Sequence, residues 1–538
     1  MTKLVAATLF AWAMASRLYS QSHDHTSKET LGSVMFSTSC NPAAQPAFNR
    51  AVALMHSFQF GLAIQGFHSV LAVDPACAIA DWGVALSSWG NPFAGFKSAA
   101  QMEQGRQAVE QGRAITAKTA RERAYIDAVG ELYIVSPDVN QPERLLAYER
   151  SMAALSAAHP EDTEATIFYA LALAAAADPS DQTYARQLKA GALLESLFAK
   201  YPNHPGLAHY IIHAYDEPAL ASRAAEAARR YGEIAPSTPH ALHMPSHTFT
   251  RVGDWQSSIA TNTASAAAAR AANQPADVLH ASDYMVYAYL QTAQDKAAKQ
   301  LVESSAQTFL QFDPAHANGA APASAAFFAH AAIPARYCLE RRAWAEAAML
   351  EPVPSPFPYA DAITYFTRGL GAAHLKHGPA VQDAIVSLAQ IEDKLKKSKE
   401  DYWADQIEIQ RRELVAMLSY AEDHESEALA GMRLAAEMED RTQLASVTPG
   451  PIMPAREMLG DLLLESHRPT DALKEYEATL LKQPNRFWSL YGAGKSAKQT
   501  GDRQKANVYF HKLLIIAERA EQPERQELAE VRSAIAAN

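Results

Sequence analysis

Glycine and cysteine are scarce in this chain of 538 residues, which contains 23 glycines and three cysteines. β-Branched residues that alternate with polar ones over several positions are missing, so the sequence offers little material for a β-sheet. Alanine, the best helix former, recurs throughout the chain. These features predict an all-α fold, and the length predicts either several domains or one elongated repeat array.

The chain also lacks an excess of basic residues, since 48 Lys and Arg stand against 59 Asp and Glu and give a formal net charge of −11. Nucleic-acid binding requires a basic surface, so we expect no nucleic-acid partner. The sequence contains no His-Glu-x-x-His motif, no phosphate-binding P-loop, no Gly-x-Ser-x-Gly motif and no dinucleotide-binding fingerprint. The common nucleotide and hydrolase chemistries therefore have no visible motif.

Residues 1–22 have the pattern of a secretory signal peptide. Lys3 supplies the positive charge, residues 4–15 are mostly apolar, and small residues follow at several plausible cleavage positions. A buried N-terminal helix is the alternative interpretation. Residues 23–39 are expected to form a flexible leader. No later segment offers about 18 uninterrupted apolar residues, so we expect no membrane span and an exported product, periplasmic or secreted.

Pairs of helices joined by a short turn recur along the chain, most clearly near the C-terminus. Residues 487–523 combine one helix that contains Gly494, a turn at Gly501, and a second helix that contains Phe510; the same order precedes them and ends at Pro484. This pattern resembles the tetratricopeptide repeat, a 34-residue pair of antiparallel helices. The resemblance implies an α-solenoid of about five to eight such pairs, stacked into a curved array with a concave groove.

Two proline-rich stretches, at residues 352–358 and 449–454, interrupt the helical pattern. Proline cannot continue a helix, so each stretch is expected to be a linker or a sharp junction. We therefore divide the array near residue 355. The predicted units are an N-terminal array, a helical middle segment and a C-terminal pair of repeats, at residues 40–350, 360–445 and 453–538.

The repeat register places Cys40 just before a first helix and Cys77 just after the antiparallel partner of that helix. Both thiols would then lie at the same end of one helical hairpin. An oxidising compartment would permit a disulfide between them, and two unrelated buried thiols are the alternative. Cys338 lies within a helical pattern and is expected to be a core residue.

Histidines cluster in two consecutive repeats, because five of the 19 histidines lie between residues 209 and 247. One repeat begins at Pro205 and contains His209 and His213. The next begins at Pro239 and contains His240, His243 and His247. A His-x3-His pair therefore recurs after one full repeat of 34 residues.

In the resembled family, the second, fifth and ninth positions of each first helix line the concave groove. The resemblance therefore implies that the five histidines all face this groove. The next first helix would present His280, Asp283 and Tyr287 at the same three positions. Asp216 lies one helical turn beyond His213, on the same side. Three weaker candidates, for which packing or solvation is the more common role, are His56, Trp82 and Glu164.

Two histidine pairs on neighbouring helices can meet at one small ion. Residues four apart on a helix have Cβ atoms about 5–6 Å apart, and packed helices lie about 8–10 Å apart. Imidazole suits copper, zinc and iron, so the sequence predicts a transition-metal site. The predicted ligands are His209, His213, His243 and His247, with His240, His280 and Asp283 as alternates or supports. Asp216 or Tyr287 would be a further ligand or would orient a histidine.

Pro245 lies between His243 and His247 and removes one helical hydrogen bond, so this first helix is expected to be kinked or to start late. The break departs from the family pattern and leaves the relative position of the two histidines open. Pro334 is a second proline within a helical pattern, on a later helix and two residues before Arg336. Arg336 falls at a groove-facing position, where it could hold a carboxylate or phosphate; a surface or core-bridging arginine is the alternative.

The histidine pattern favours an exported metal-binding protein, whose ion would activate water or dioxygen if the protein is an oxidoreductase or a hydrolase. The resemblance implies instead a non-catalytic scaffold whose groove holds a small molecule, a peptide or a partner helix. Metal storage or delivery would use the same residues. The stretches Ala-His-Tyr-Ile-Ile-His and His-Ala-Leu-His-Met-Pro-Ser-His resemble a group of exported bacterial repeat proteins, which implies a shared site and no known reaction. The oligomeric state stays open.

Overall fold

The computed structural model describes residues 29–95, 97–115, 117–136, 139–317, 319–522 and 524–536. The signal peptide predicted at residues 1–22 lies outside these residues. Within them no residue belongs to a β-strand. The described helices include none that combines the length and the apolar character needed to cross a membrane.

Twenty-six α-helices make up the described part of the molecule, and consecutive helices pack as antiparallel pairs. This architecture confirms the all-α, tetratricopeptide-like solenoid predicted from the repeats. In chain order, the helices are α1 (Gln45–His56), α2 (Phe60–Val73), α3 (Ala78–Trp89), α4 (Ala99–Ala114), α5 (Ala120–Gly130), α6 (Gln141–Ala158), α7 (Thr163–Ala175), α8 (Ala185–Phe198), α9 (Pro205–Ala214), α10 (Ala225–Ile234), α11 (Pro239–His243), α12 (Pro245–Arg251), α13 (Trp255–Ala271), α14 (Pro275–Gln291), α15 (Asp295–Leu310), α16 (Ala323–Leu339), α17 (Trp344–Ala348), α18 (Pro358–His374), α19 (Gly378–Lys397), α20 (Asp401–Ala421), α21 (Glu425–Glu439), α22 (Ala455–Glu465), α23 (Pro469–Lys482), α24 (Phe487–Gln499), α25 (Arg503–Ile516) and α26 (Gln526–Ala536).

Proline and glycine explain where these helices begin and how closely they pack. Pro205, Pro239 and Pro275 are the first residues of α9, α11 and α14, where the missing N–H has no helical partner to lose. A Cβ atom at Gly494 would lie 2.3 Å from the ring of Phe510. The small residue predicted at this position of the C-terminal repeat therefore lets α24 and α25 approach each other.

The helix pairs extend from α1–α2 to α24–α25 and outnumber the five to eight predicted. The proline-rich stretch at residues 352–358 connects α17 to α18. It does not divide the hydrophobic core, because one cluster of buried side chains contains both Phe328 of α16 and Phe366 of α18. Helices α16 and α18, which lie on either side of this stretch, pack directly against each other, so the array is continuous here.

The described part of the expected leader, residues 29–39, lies against the array in an irregular conformation. Phe36 is 1% exposed and packs edge-on against Phe48, with ring centroids 5.2 Å apart. The backbone N–H of Ser33 donates to the carbonyl oxygen of Asn203 at 2.9 Å. These contacts correct the expectation of a flexible leader for residues 29–39, because burial of apolar side chains anchors them to the helices.

Cys40 and Cys77 form a disulfide, with Cα atoms 5.0 Å apart, and the two residues are 37 positions apart in the sequence. Cys40 lies before α1, and Cys77 is the residue that precedes α3. The bond therefore joins the two ends of the first helical hairpin. Cys338 is a buried free thiol in α16.

An irregular segment, residues 443–451, crosses from the C-terminal part of the array to its N-terminal part and is named the crossover segment here. At its start, Gln443 donates from its backbone N–H to the carbonyl oxygen of Pro179 at 3.1 Å. Further along, Arg251 of α12 donates to the carbonyl oxygen of Pro449 at 2.7 Å. The crossover segment therefore lies on the inner face of the array, beside the helices that carry the histidine cluster.

Candidate metal centre

Six histidines from four helices meet on the inner face of the array. Five of them are buried, and His280 is partly exposed. Their ring nitrogens divide into two sets, and within each set the nitrogens all lie within 4.8 Å of one another. The first histidine group is His209 and His213 of α9 with His240 of α11; the second histidine group is His243 of α11, His247 of α12 and His280 of α14.

The helix break predicted at Pro245 is present, because α11 ends at His243 and α12 begins at Pro245. Met244 between them nevertheless keeps a helical backbone, with φ −54° and ψ −35°. The chain direction therefore continues across the break. The Nε2 atoms of His243 and His247 lie 3.0 Å apart, so the proline does not separate the two side chains.

The first histidine group contains a close contact between two ring nitrogens, because Nε2 of His209 lies 3.1 Å from Nε2 of His240. The other nitrogen of His209, Nδ1, lies 2.6 Å from the carbonyl oxygen of His56. A carbonyl oxygen only accepts hydrogen bonds, so Nδ1 of His209 carries the proton. Nε2 of His209 then presents a lone pair to its neighbour, which is the state that binds a metal ion.

His213 is 7% exposed, and neither of its ring nitrogens has a hydrogen-bond partner among the described residues. Its ring stacks on Phe93, with centroids 4.1 Å apart, and faces Phe58 at 5.7 Å. Phe58 itself has φ 54°, a left-handed backbone conformation that is costly for an aromatic residue. Buried polar atoms without partners are rare, and a bound ion is one of the explanations for them.

The second histidine group is oriented by two side-chain acceptors. Nδ1 of His247 lies 2.7 Å from Oδ2 of Asp216, and Nδ1 of His243 lies 2.6 Å from Oδ1 of Asn262. The amide nitrogen of Asn262 donates to the carbonyl oxygen of Ser258 at 2.9 Å, which fixes the orientation of the amide. Both Nδ1 atoms are therefore donors, and the two Nε2 atoms face each other with lone pairs.

The spacing of these nitrogens suits a metal ion. A tetrahedral ion with metal–nitrogen distances of about 2.0–2.1 Å holds its ligand nitrogens about 3.3 Å apart. The closest nitrogens in the two groups are 3.1 and 3.0 Å apart. Small movements of the rings would therefore bring them to the separation that an ion requires.

Burial lowers the pKa of five of the six histidines and so favours their neutral form, which is the form that binds metal. It lowers the pKa of His209 and the pKa of His280 to about 3. The pKa values of His213, His240 and His243 are also well below the usual range, mainly because of burial and secondarily because neighbouring histidines would repel a second charge.

Asp216 is the ionised group behind the second histidine group. Burial alone would raise the pKa of this carboxyl, but Arg251 and His247 outweigh burial, and the pKa is lowered. Nε of Arg251 lies 3.1 Å from Oδ1 of Asp216. A carboxylate that accepts from the Nδ1 atom of a histidine is the usual partner of a metal-binding imidazole.

A third cluster of ionisable side chains lies next to the first histidine group. Glu164 contacts Nε2 of His56 and Nε2 of His204, each at 2.9 Å. The two histidines hold the pKa of Glu164 well below its usual range, although burial alone would raise it. Both carboxylate oxygens are thus paired, and His56 also contacts the hydroxyl of Tyr210 at 3.0 Å. We interpret this cluster as a structural support, since the backbone of His56 orients His209.

Asp283, predicted as an alternate ligand or support, lies outside all three clusters. Its Oδ1 atom accepts from Nε of Arg336 at 2.8 Å, and both side chains are completely buried. Tyr287 lies further along α14, where its hydroxyl donates to Gln483 and accepts from Arg486, each at 3.1 Å. These three predicted residues therefore connect α14 and α16 to the C-terminal part of the array.

Several residues of the site were not predicted from the sequence. Tyr284 lies between the second histidine group and the crossover segment: its ring centroid is 4.9 Å from that of His247, and its hydroxyl donates to Ser446 at 3.2 Å. The repeat register gave no signal for this position, because it is not one of the three that face the groove. The other residues missed are Phe58, Phe93, His204 and Asn262.

The fold defines the class of the protein, a tetratricopeptide-like array of helix pairs. No family model matches the chain, and no curated protein matches it by sequence. The human IFIT1 dimer with m7Gppp-AAAA is similar at 10% identity, covering 82% of this chain and 90% of that chain, with a TM-score of 0.36. Yeast Tom70 is similar at 10% identity, covering 92% and 96%, with a TM-score of 0.35. These values are too low to bear on function.

Proposed function

We propose that this protein binds a transition metal, copper, zinc or iron, through the histidines on the inner face of its helical array. One observation carries the proposal. The six histidines form two groups: in the second group two unprotonated nitrogens face each other at 3.0 Å, and in the first group the unprotonated Nε2 of His209 lies 3.1 Å from Nε2 of His240. Three of them are also held by acceptors at Nδ1, the arrangement that orients metal ligands in proteins.

The number of ligands supports a reactive ion. Each group offers three histidines, whereas structural zinc sites are closed by four protein ligands. A fourth position on each ion would be open to water, dioxygen or a substrate, and an ion in this state activates the molecule that it binds. We therefore extend the proposal to a metal-dependent oxidase or hydrolase. Metal storage or delivery uses the same ligands and is distinguished by rapid release of the ion to a chelator.

Elemental analysis of the full chain, purified without a histidine tag, tests metal binding. The test variant is His209→Gln/His243→Gln, which removes one ligand from each group. The control variant is His424→Gln/His511→Gln, which changes two exposed histidines outside the groups. We expect near-stoichiometric metal in the wild type and the control, and little in the folded test variant. A wild-type protein that holds no metal after reconstitution contradicts the proposal.

A peptide-binding scaffold is the alternative, and the contacts made by the crossover segment count against it. Arg251, Arg336 and Tyr284 all donate to backbone carbonyl oxygens of this segment. Such clamps would also hold an extended peptide from another protein. Because the segment of this chain already occupies them, we expect a synthetic peptide with the sequence of residues 443–454 not to bind the wild type. Tight binding of this peptide would support an open groove.

We also propose that the protein is exported to the periplasm or secreted. The signal-peptide pattern of residues 1–22 supports this location, and so does the disulfide between Cys40 and Cys77, because disulfides persist in oxidising compartments. N-terminal sequencing of the mature protein from an exporting bacterial host tests the proposal. Cleavage between residues 15 and 23 is expected, and an intact N-terminus in the cytoplasmic fraction would contradict it.

A further inference from the structure

We propose that the two histidine groups bind two copper ions side by side, one ion in each group, as a dinuclear copper centre. This inference rests on the proposed metal binding and adds the number, the identity and the positions of the ions. It follows from three features of the groups: the way their nitrogens divide, the distance between the groups, and the charge of their donor atoms.

The nitrogens divide into two independent ligand sets. His209 pairs with His240 in the first group, and His243 pairs with His247 in the second. Each pair has its own acceptors at Nδ1: the backbone of His56 for His209 in the first group, and the side chains of Asn262 and Asp216 in the second. An ion can therefore bind one pair without contacting the other pair. With the third histidine of its group, each pair forms a separate three-histidine site.

The two groups are also neighbours. His240 and His243 are both on the short helix α11, and their ring centroids are 6.0 Å apart. On the other side, the ring centroids of His213 and His247 are 6.1 Å apart. Neighbouring rings that each bind a different ion would place the two ions near each other. In known two-metal sites the ions are about 3.5–4 Å apart.

The donor atoms favour copper. Both groups consist of histidines, which ligate metals as neutral imidazoles, and among the described residues neither group includes a carboxylate or a thiolate. Asp216 contacts His247 rather than the position of the ion, and its negative charge is already paired with Arg251. Two divalent ions would place four positive charges in this buried region without an anionic ligand, which is costly. Two copper(I) ions carry half that charge, and imidazole is a good copper ligand.

Counting copper in the full chain tests the inference. The metal-free, tag-free protein is loaded without oxygen from a copper(I)–bicinchoninate complex, and the bound copper is measured by elemental analysis. We expect two copper ions per chain in the wild type. In a parallel competition with zinc, we expect copper to be retained; preferential retention of zinc would overturn the identity of the ions.

Two single-site variants separate the groups. His213→Phe affects the first group and should fold, because the ring already lies between Phe58 and Phe93 and its nitrogens have no partners among the described residues. His280→Gln affects the second group at a partly exposed position. Each variant is expected to bind one copper ion, and their combination none, with unchanged circular dichroism.

Electron paramagnetic resonance after oxidation to copper(II) tests whether the ions are adjacent. In the wild type, coupling between neighbouring ions should broaden or abolish the signal, while each single-site variant should give the sharp signal of one isolated ion. Two sharp, independent signals in the wild type would overturn the inference. One ion per chain that both variants lose would also overturn it, yet would leave the proposed metal binding intact. A wild type that binds neither copper nor zinc contradicts both.

Discussion

Nε2 of His243 lies 3.0 Å from Nε2 of His247, and the Nδ1 atom of each ring donates to a side chain outside its own helix, Asn262 of α13 or Asp216 in the loop after α9. Two lone pairs therefore face each other inside the protein, an arrangement that repels unless a cation lies between them. The metal-free protein holds this arrangement through Asp216 and Asn262. A bound ion would convert the repulsion into two ligand bonds.

Metal binding should therefore stabilise the fold. A ligand that binds only the folded state at a concentration of 100 times its Kd adds about 2.7 kcal/mol to the free energy of unfolding. We expect the melting temperature to fall when a chelator removes the metal and to recover when copper is added. The His209→Gln/His243→Gln variant should show neither change. An equal response in this variant would place the stabilising ion elsewhere.

Asp216→Asn should weaken metal binding, because the neutral amide makes the imidazole of His247 a poorer ligand than the carboxylate does. In metalloproteins, replacing such a hydrogen-bond partner of a ligand typically lowers the metal affinity by about 10- to 100-fold. Competition with a chelator of known affinity measures the change. Asp283→Asn is the matched control, since Asp283 pairs with Arg336 rather than with a histidine. A comparable loss of metal affinity in the control would indicate that Asp283 also binds or supports the metal ion.

The ion pair between Arg336 and Asp283 should stabilise the contact between the crossover segment and the array. Arg336 also donates to the carbonyl oxygens of Gly450 and Pro451, at 3.1 and 3.0 Å. Removing one partner of a buried pair costs about 3–5 kcal/mol, because the other charge is left without compensation. We expect Arg336→Met and Asp283→Leu each to lower the stability by this amount in chemical denaturation. The double variant should lose less than the sum, and strict additivity would show that the pair is not coupled.

The clustering of five histidines could be predicted from the sequence, because residues one repeat apart occupy equivalent positions on neighbouring helices. His209 and His243 are one repeat apart, and their helices are neighbours in the fold, so the periodic pattern was sufficient to bring five histidines together. Pro245 left the position of His247 open. The backbone at Met244 settles that position, since it stays helical across the break.

The rest of the site depends on contacts that no local period encodes. Asp283 has the spacing of a ligand, but its carboxylate pairs with Arg336, which is 53 positions away. The crossover segment reaches Arg251 from almost 200 positions further along the chain, and a proline-rich stretch in the sequence indicates only that a helix stops. Such tertiary contacts decide which polar residues serve the histidines and which join the two halves of the array.

The disulfide between Cys40 and Cys77 should contribute about 3–4 kcal/mol to stability, as the loop-entropy estimate gives for a loop of this length. Cys40→Ser/Cys77→Ser should therefore melt at a lower temperature than the wild type, and a reductant should lower the melting temperature of the wild type but not that of this double variant. Cys338→Ala is the control, because its thiol is free. A wild type that melts at the same temperature with and without reductant would contradict the prediction.

Stability should fall as the pH rises, because of two neighbouring carboxyls, Glu413, which is buried, and Glu439, which is partly buried. Burial, and then the charge of Glu439, raise the pKa of Glu413 well above its usual range; burial also raises the pKa of Glu439 to about 7. A raised pKa means that the folded protein holds the proton more tightly than the unfolded chain does. This contribution is complete below about pH 4.5, the usual carboxyl value, and is lost as the pH rises through about 7.

Glu413→Gln tests this dependence, since the amide mimics the protonated carboxyl at every pH. We expect the variant to be more stable than the wild type at pH 8, with a smaller fall in melting temperature between pH 5 and pH 8. Glu425→Gln changes an exposed carboxyl on α21 and should follow the wild-type profile. Parallel profiles for Glu413→Gln and the wild type would show that another group controls the dependence.

The crossover segment also sets an order of events in the life of the molecule. Ribosomes make residues 443–451 after all six histidines, and these residues then dock beside Tyr284 and Arg251. Before this segment docks, the hydroxyl of Tyr284 lacks its carbonyl partner, so the ring that packs against His247 is held less firmly. For the proposed metal site, docking of this segment would therefore be the last step of its assembly.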